Sequence, residues 1–126
     1  MGVEYKKKCA YRSRQFATMS LVNADALISK YEALLRLRPK DELIKFSLGK
    51  ALLDAGRVGE AEFQLRAALE MKPDWMIVTM LLAKIAGQKN DKAAAKALWA
   101  KGLELAIAQD HEGPEEECRA ELAKLG

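Results

Sequence analysis

The stretch from Trp75 to Ala86, Trp-Met-Ile-Val-Thr-Met-Leu-Leu-Ala-Lys-Ile-Ala, constrains this chain more than any other, because only Thr79 and Lys84 interrupt its apolar character. A helix that is apolar on every side has to be covered on every side. At about a dozen residues it falls short of the roughly 20 that cross a bilayer, so it reads as a central helix buried among neighbours, not as a membrane span. Asp74, after Pro73, is placed to cap its start and Gly87 to stop it.

The remainder of the 126 residues reads as further helices of one domain. Ala, Leu, Lys and Glu dominate, β-branched runs are few, and Pro39, Pro73 and Pro114 all fall where segments change. From Asn23, with Asn23 or Ser20 as cap, Leu27, Ile28, Tyr31, Leu34 and Leu35 recur at helical spacing up to Leu37-Arg38-Pro39. Asp41 caps a second helix carrying Leu43, Ile44, Phe46, Leu48, Ala51 and Leu52, which ends at Gly56. A third runs over about 58–71 with Ala61, Phe63, Leu65, Ala68 and Leu69. After the apolar helix, 88–90 make a turn and Asp91 caps the longest helix, about 91–109. His111-Glu112-Gly113 breaks the pattern. Pro114 then takes a first helical position, with Glu115, Glu116 and Glu117 at the positive end of the dipole and Gly126 closing the chain. Six helices joined by short turns leave no room for a sheet.

Charge and chemistry exclude several functions. Lys6, Lys7, Lys8, Arg12 and Arg14 against Glu4 give residues 1–18 a net +4, which leaves −1 of the total +3 for residues 19–126. The basic pI of 8.9 therefore belongs to the N-terminal segment, and nucleic-acid binding is not expected of the nearly neutral body. Residues 1–22 form a basic tail outside the domain. A flexible tail is favoured there over an organelle-targeting peptide or a helix docked on the body, with Tyr5 and Phe16 as its apolar contacts. Met1–Lys8 is polar and basic, without a secretory apolar run, so the expected location is cytoplasmic. Cys9 and Cys118 lie near opposite ends without ligand-spaced partners, which argues for isolated thiols in a reducing compartment and against zinc or a redox pair. With a single histidine, His111, in a polar turn, no Gly-rich phosphate loop and dispersed carboxylates, no catalytic residue, metal or cofactor is expected.

Superposed on itself, the chain shows a period of 34: Pro39 with Pro73, Leu48 with Leu82, Gly49 with Ala83, Lys50 with Lys84, Ala61 with Ala95. A period of 34 built from helix pairs resembles the tetratricopeptide repeat (TPR) family. Leu48-Gly49 and Leu52 stand where its first helix has Leu-Gly and Tyr, and Ala61, Leu65, Ala68 and Pro73 match its second helix. The next unit matches less fully, with Leu82-Ala83, Ala95, Trp99 and Gly102, and Ile107 where a proline would close it. Residues 23–39 resemble the second helix of an earlier unit, with Leu27 at a small-residue position and Tyr31 at the aromatic one.

The resemblance implies an all-α fold in which antiparallel helix pairs stack as a short right-handed solenoid within residues 23–126. It divides them into a half repeat 23–39, repeats 42–75 and 76–109, and a polar-faced capping helix 114–125. Gly49, Ala61, Ala83 and Ala95 let helices approach closely; Leu48, Leu65, Leu82 and Trp99 fill the space between them. In this family first helices line a concave groove that holds a peptide, which here implies Leu43, Phe46, Ser47, Lys50 and Leu53 with Ile77, Met80, Leu81 and Lys84. Leu43, Phe46, Ile77, Met80 and Leu81 would form an exposed apolar row of a kind monomers rarely tolerate. The family's carboxylate clamp wants polar groups where Phe46 and Met80 stand, which disfavours chaperone-tail binding. Lys50 and Lys84 are left to meet one acidic group on an otherwise apolar peptide. The expected function is a non-catalytic module for an apolar or amphipathic protein segment. The alternative is a self-associating subunit, a homodimer through the groove or through helix 75–86.

Overall fold

The computed structural model describes residues 24–126, and the expectations for residues 1–22, and for Ser20 or Asn23 as a cap, lie outside them. Among the described residues there are six helices and no strand: α1 over residues 24–37, α2 Glu42–Asp54, α3 Val58–Met71, α4 Met76–Gln88, α5 Lys92–Ala108 and α6 Glu112–Leu125. Connections of three or four residues fold each helix back on the one before, so α2 packs on α3, α3 on α4, α4 on α5 and α5 on α6.

Two turn chemistries punctuate this array. The turns after α2, α4 and α5 place Gly56, Asn90 and Asp110 at φ of 80°, 60° and 58°. In each, the next residue closes a six-residue loop back onto the helix: the amides of Arg57, Asp91 and His111 donate to the carbonyls of Leu52, Ala86 and Ala106 at 2.9 Å. This Schellman arrangement satisfies carbonyls that a helix end leaves free. The turns after α1 and α3 instead carry Pro39 and Pro73, with Asp41 N donating to Arg38 O at 3.2 Å and Trp75 N to Lys72 O at 3.1 Å.

Asp41 and Asp91 cap α2 and α5 as their sequence positions predict, accepting from the amides of Ile44 and Ala94 at 3.1 Å. Other boundaries differ. Asp74 does not cap α4; Trp75 takes the N-cap position without a side-chain bond, because the proline turn extends to it. Gly87 lies inside α4, which runs on until Asn90 supplies the left-handed residue. Pro114 is the third residue of α6, not its first, still in the turn whose amides have no helical acceptor.

Three clusters make the core. Ile28, Leu48, Ala51, Leu52 and Ala61 join α1, α2 and α3. Leu65 with Val78, Leu82 and Ile85 joins α3 to one side of α4. Met76, Met80, Ala83 and Ala86 on the other side of α4 meet Ala95, Trp99, Leu105 and Ala106 of α5 and Cys118 of α6. The apolar helix is covered on two faces, which is why it tolerates so few polar residues. Thr79, 1% exposed, resolves its own hydroxyl by donating to the Trp75 carbonyl at 3.2 Å. On the outer surface Glu62 of α3 accepts from Lys89, at the end of α4, at 2.9 Å and from Arg66 at 2.8 Å. Those hydrogen bonds, Lys89's foremost, hold its carboxyl below the ordinary 4.5.

The small residues have measurable work. A Cβ on Gly49 would stand 2.8 Å from Cγ and Cδ2 of Leu65, which is itself fully buried. Gly49→Ala should therefore lower unfolding stability by about 1–3 kcal/mol in urea titration. Gly59→Ala, whose Cβ would meet nothing within 4 Å, should leave stability unchanged or raise it by up to about 1 kcal/mol.

Candidate functional site

Helix α4 turns one narrow stripe to solvent. Ile77 is 50% exposed, Leu81 half-buried and Lys84 exposed. The spacing is i, i+4, i+7, a single helical face. Opposite it stand Pro114 and Glu117 of α6, and together with Met80 these side chains line a cleft of about 220 Å³. At the helix N-termini the cleft shares Ile77 and Pro114 with a wider hollow of about 420 Å³, edged by Lys72, Trp75, Gln109 and His111. There Gln109 Nε2 donates to the Asp74 carbonyl at 3.0 Å, tying the α5–α6 turn to the α3–α4 turn. Lys72 Nζ lies 5.3 Å from the Trp75 ring centre. At the other end Lys84 Nζ meets Glu117 Oε2 at 3.2 Å across the cleft, both side chains about half exposed.

α6 is held in place by a close approach. A Cβ on Gly102 of α5 would lie 3.2 Å from Cys118 Sγ and 3.3 Å from Met80 Cγ, so the glycine lets α4, α5 and α6 meet at one point. Cys118 is fully buried there, and burial, with the Glu117 charge adding to it, pushes its thiol pKa up. A thiol so placed is packing, not a nucleophile. His111 is the exposed N-cap residue of α6 and makes no side-chain capping bond. Among the described residues no cluster of His, Cys, Asp and Glu is placed to hold a metal ion, and no helix is long and apolar enough to cross a membrane.

The nine residues expected to line one groove are divided. Ile77, Met80, Leu81 and Lys84 share the α4–α6 cleft. Phe46, Ser47 and Lys50 line a separate depression of about 210 Å³ with Leu27, Tyr31 and Asp54. Leu43, 60% exposed, sits at the α1–α2 turn. Between the two depressions the Phe46 ring packs on Trp75, centroids 4.8 Å apart, and Leu53 and Leu81 lie on the α3–α4 core, which fills the seam from α2 to α4. The expected row of exposed apolar side chains is corrected on one point above all: Met80 is 7% exposed and belongs to the core. Lys84, half exposed, pairs with Glu117 of α6.

The sequence pattern marks Pro114 and Glu117 as residues at the start of the last helix, not as the wall of a cleft. Their helix has few apolar residues and reads as a solvated cap, and the signal that it is packed, Gly102 facing Cys118, is tertiary. Leu43 and Ile77 also belong to a set with Leu37, Met71 and Ile107, all exposed and all within two residues of a helix terminus at the same end of the antiparallel stack.

No family model matches the chain. A TPR repeat-containing protein of Pseudomonas aeruginosa is 31% identical over 99 residues, which cover 79% of this chain and 94% of that protein. Among solved structures, PcrH of the same organism, in complex with the chaperone-binding region of PopD, superposes with a TM-score of 0.77 at 19% identity. That match covers 99% of this chain and 92% of PcrH. The type III secretion translocator chaperone SycD of Yersinia enterocolitica also gives a TM-score of 0.77, at 15% identity over 89% of this chain and 81% of SycD. At these identities the two structures share the fold.

The burial difference separates core from cleft. Met80→Ser should lower stability by about 2–5 kcal/mol in urea unfolding. Ile77→Ser should change it by less than about 1 kcal/mol.

Proposed function

The chain belongs to the tetratricopeptide repeat family, and on that premise we propose that it is a non-catalytic module holding an apolar or amphipathic segment of another protein in the cleft between α4 and α6. The observation that carries this reading is the cleft itself: Ile77 is exposed and Leu81 half-buried in a concave site whose floor is apolar and whose walls are two helices. An apolar side chain leaving water there gains about 1.5–3 kcal/mol when fully buried. Proteins of the same fold lend support, since PcrH is seen with the chaperone-binding region of PopD and SycD with a peptide of the translocator YopD. No group in the cleft is arranged as nucleophile and base, and its one ion pair is a structural contact.

The second depression, at Phe46, Ser47 and Lys50, is shallower in apolar character, with Asp54 and Lys50 at its edge. It extends the surface along which a longer segment can lie. A second copy of the chain is the competing occupant.

A fluorescently labelled amphipathic peptide with leucines at heptad spacing, titrated into the full chain and read by anisotropy, tests the reading. Saturable binding that weakens about tenfold or more in Ile77→Asp is expected. Unchanged affinity in that variant contradicts the assignment. Light scattering on the same samples reads the competing occupant: a concentration-dependent dimer that Ile77→Asp converts to monomer would assign the cleft to self-association.

A further inference from the structure

The two ends of the helix stack are finished differently. At the C-terminal end α6 buries one residue, Cys118, and turns Glu112, Glu116 and Arg119 to solvent. At the N-terminal end α1 leaves Leu27 38% exposed, and Leu27 and Tyr31 edge the depression that Phe46, Ser47, Lys50 and Asp54 of α2 line from the other side. A repeat array needs a polar-faced cap at each end, because the faces of its terminal helices otherwise stay in water. Among the described residues only the C-terminal end has one. The chain also enters α1 against the body, since Ala24 and Ile28 are each 2% exposed. Leu27, one turn into α1, and Asp54, at the end of α2, line the same depression, so residue 23 is left beside it.

Charge alone favours a solvated tail for the residues before α1, but their spacing carries a second pattern. Tyr5, Cys9, Phe16 and Met19 stand at i, i+4, i+11 and i+14, one face of a helix that only Arg12 interrupts, with Lys6, Lys7 and Arg14 off that face. Residues 20–23 would then form a four-residue connection, as residues 38–41 and 72–75 do. We propose that residues 5–19 are the N-terminal cap of the stack, laid antiparallel to α1 with the Tyr5, Cys9, Phe16 and Met19 side over the α1–α2 depression. The occupant of that depression is then a segment of the same chain, with its basic residues outward as the polar face a cap requires. The α4–α6 cleft, built on other helices, is untouched. A partner segment long enough to extend from that cleft to Phe46 has to displace the cap.

Cys9 makes this testable in the full chain without a partner. Its thiol falls within the apolar stripe, and the chain's other thiol, Cys118, is fully buried in the core. Alkylation with N-ethylmaleimide, followed by mass spectrometry of the fragments that carry each cysteine, reads the two separately. In the native chain Cys9 should react about tenfold or more slowly than in the urea-unfolded chain, at a rate independent of protein concentration. Leu27→Asp, at an exposed position on the depression, and Phe16→Asp, in the stripe itself, should each restore most of the unfolded rate. Cys118 should stay protected in both variants, which shows that the body remains folded. Cys9 reacting as fast in the native chain as in the unfolded one, or protection that survives either substitution, would overturn the proposal. Protection lost on dilution would overturn it as well and assign the depression to a second copy of the chain.

Discussion

Burial of α4 on opposite faces is the constraint from which the arrangement of the other helices follows. Val78, Leu82 and Ile85 require α3 on one side, and Met76, Met80, Ala83 and Ala86 require α5 and α6 on the other. A helix this apolar has no alternative position at a surface. Its core residues each contribute on the order of 1.5–3 kcal/mol when large and fully buried, far more than the exposed ion pairs around them, which are worth about 0–1 kcal/mol each. What is left of α4 after both faces are covered is the stripe at Ile77, Leu81 and Lys84. The candidate site is thus the remainder of a packing problem, placed on the helix buried against both its neighbours.

The same constraint changes the meaning of the last helix. A polar-faced C-terminal helix in a repeat array ordinarily serves to end it. Here α6 follows α5 through the same Schellman turn that joins α2 to α3 and α4 to α5, in place of a proline turn. Gly102 then admits Cys118 to the point where Met80 also arrives. α4, α5 and α6 form one packed unit, and the face of α6 next to α4 becomes a wall of the cleft. Stability and candidate site share residues: Met80 supports the cleft floor from inside the core, while Ile77 and Leu81 form its surface.

Much of the fold is legible in the sequence because it is local. Aspartates at 41 and 91 before helical runs, prolines at 39 and 73, and the period of 34 between small residues each act within a turn or a helix pair, and the structure places them accordingly. Helix ends depart from the sequence pattern where two local signals compete. Asp74 is a better capping residue than Trp75 but lies within the proline turn, and Gly87 is a better stop than Gln88 but Asn90 closes the Schellman loop. The site was legible only in part for a different reason. Helical spacing tells which residues share a face of α4, yet whether Met80 or Ile77 on neighbouring faces is open depends on where α6 lands. That depends on Gly102 meeting Cys118, a contact between residues sixteen apart that no periodicity announces.

Native-state hydrogen exchange tests the central role of α4 most directly, because it ranks each helix by the free energy needed to open it. The amides of Thr79 to Ala86 should exchange slowest in the chain and only through global unfolding, with α5 and the Cys118 turn of α6 opening in the same step. Slower exchange in α2 and α3 than in α4, or an α6 that opens while α4 keeps full protection, would contradict the account.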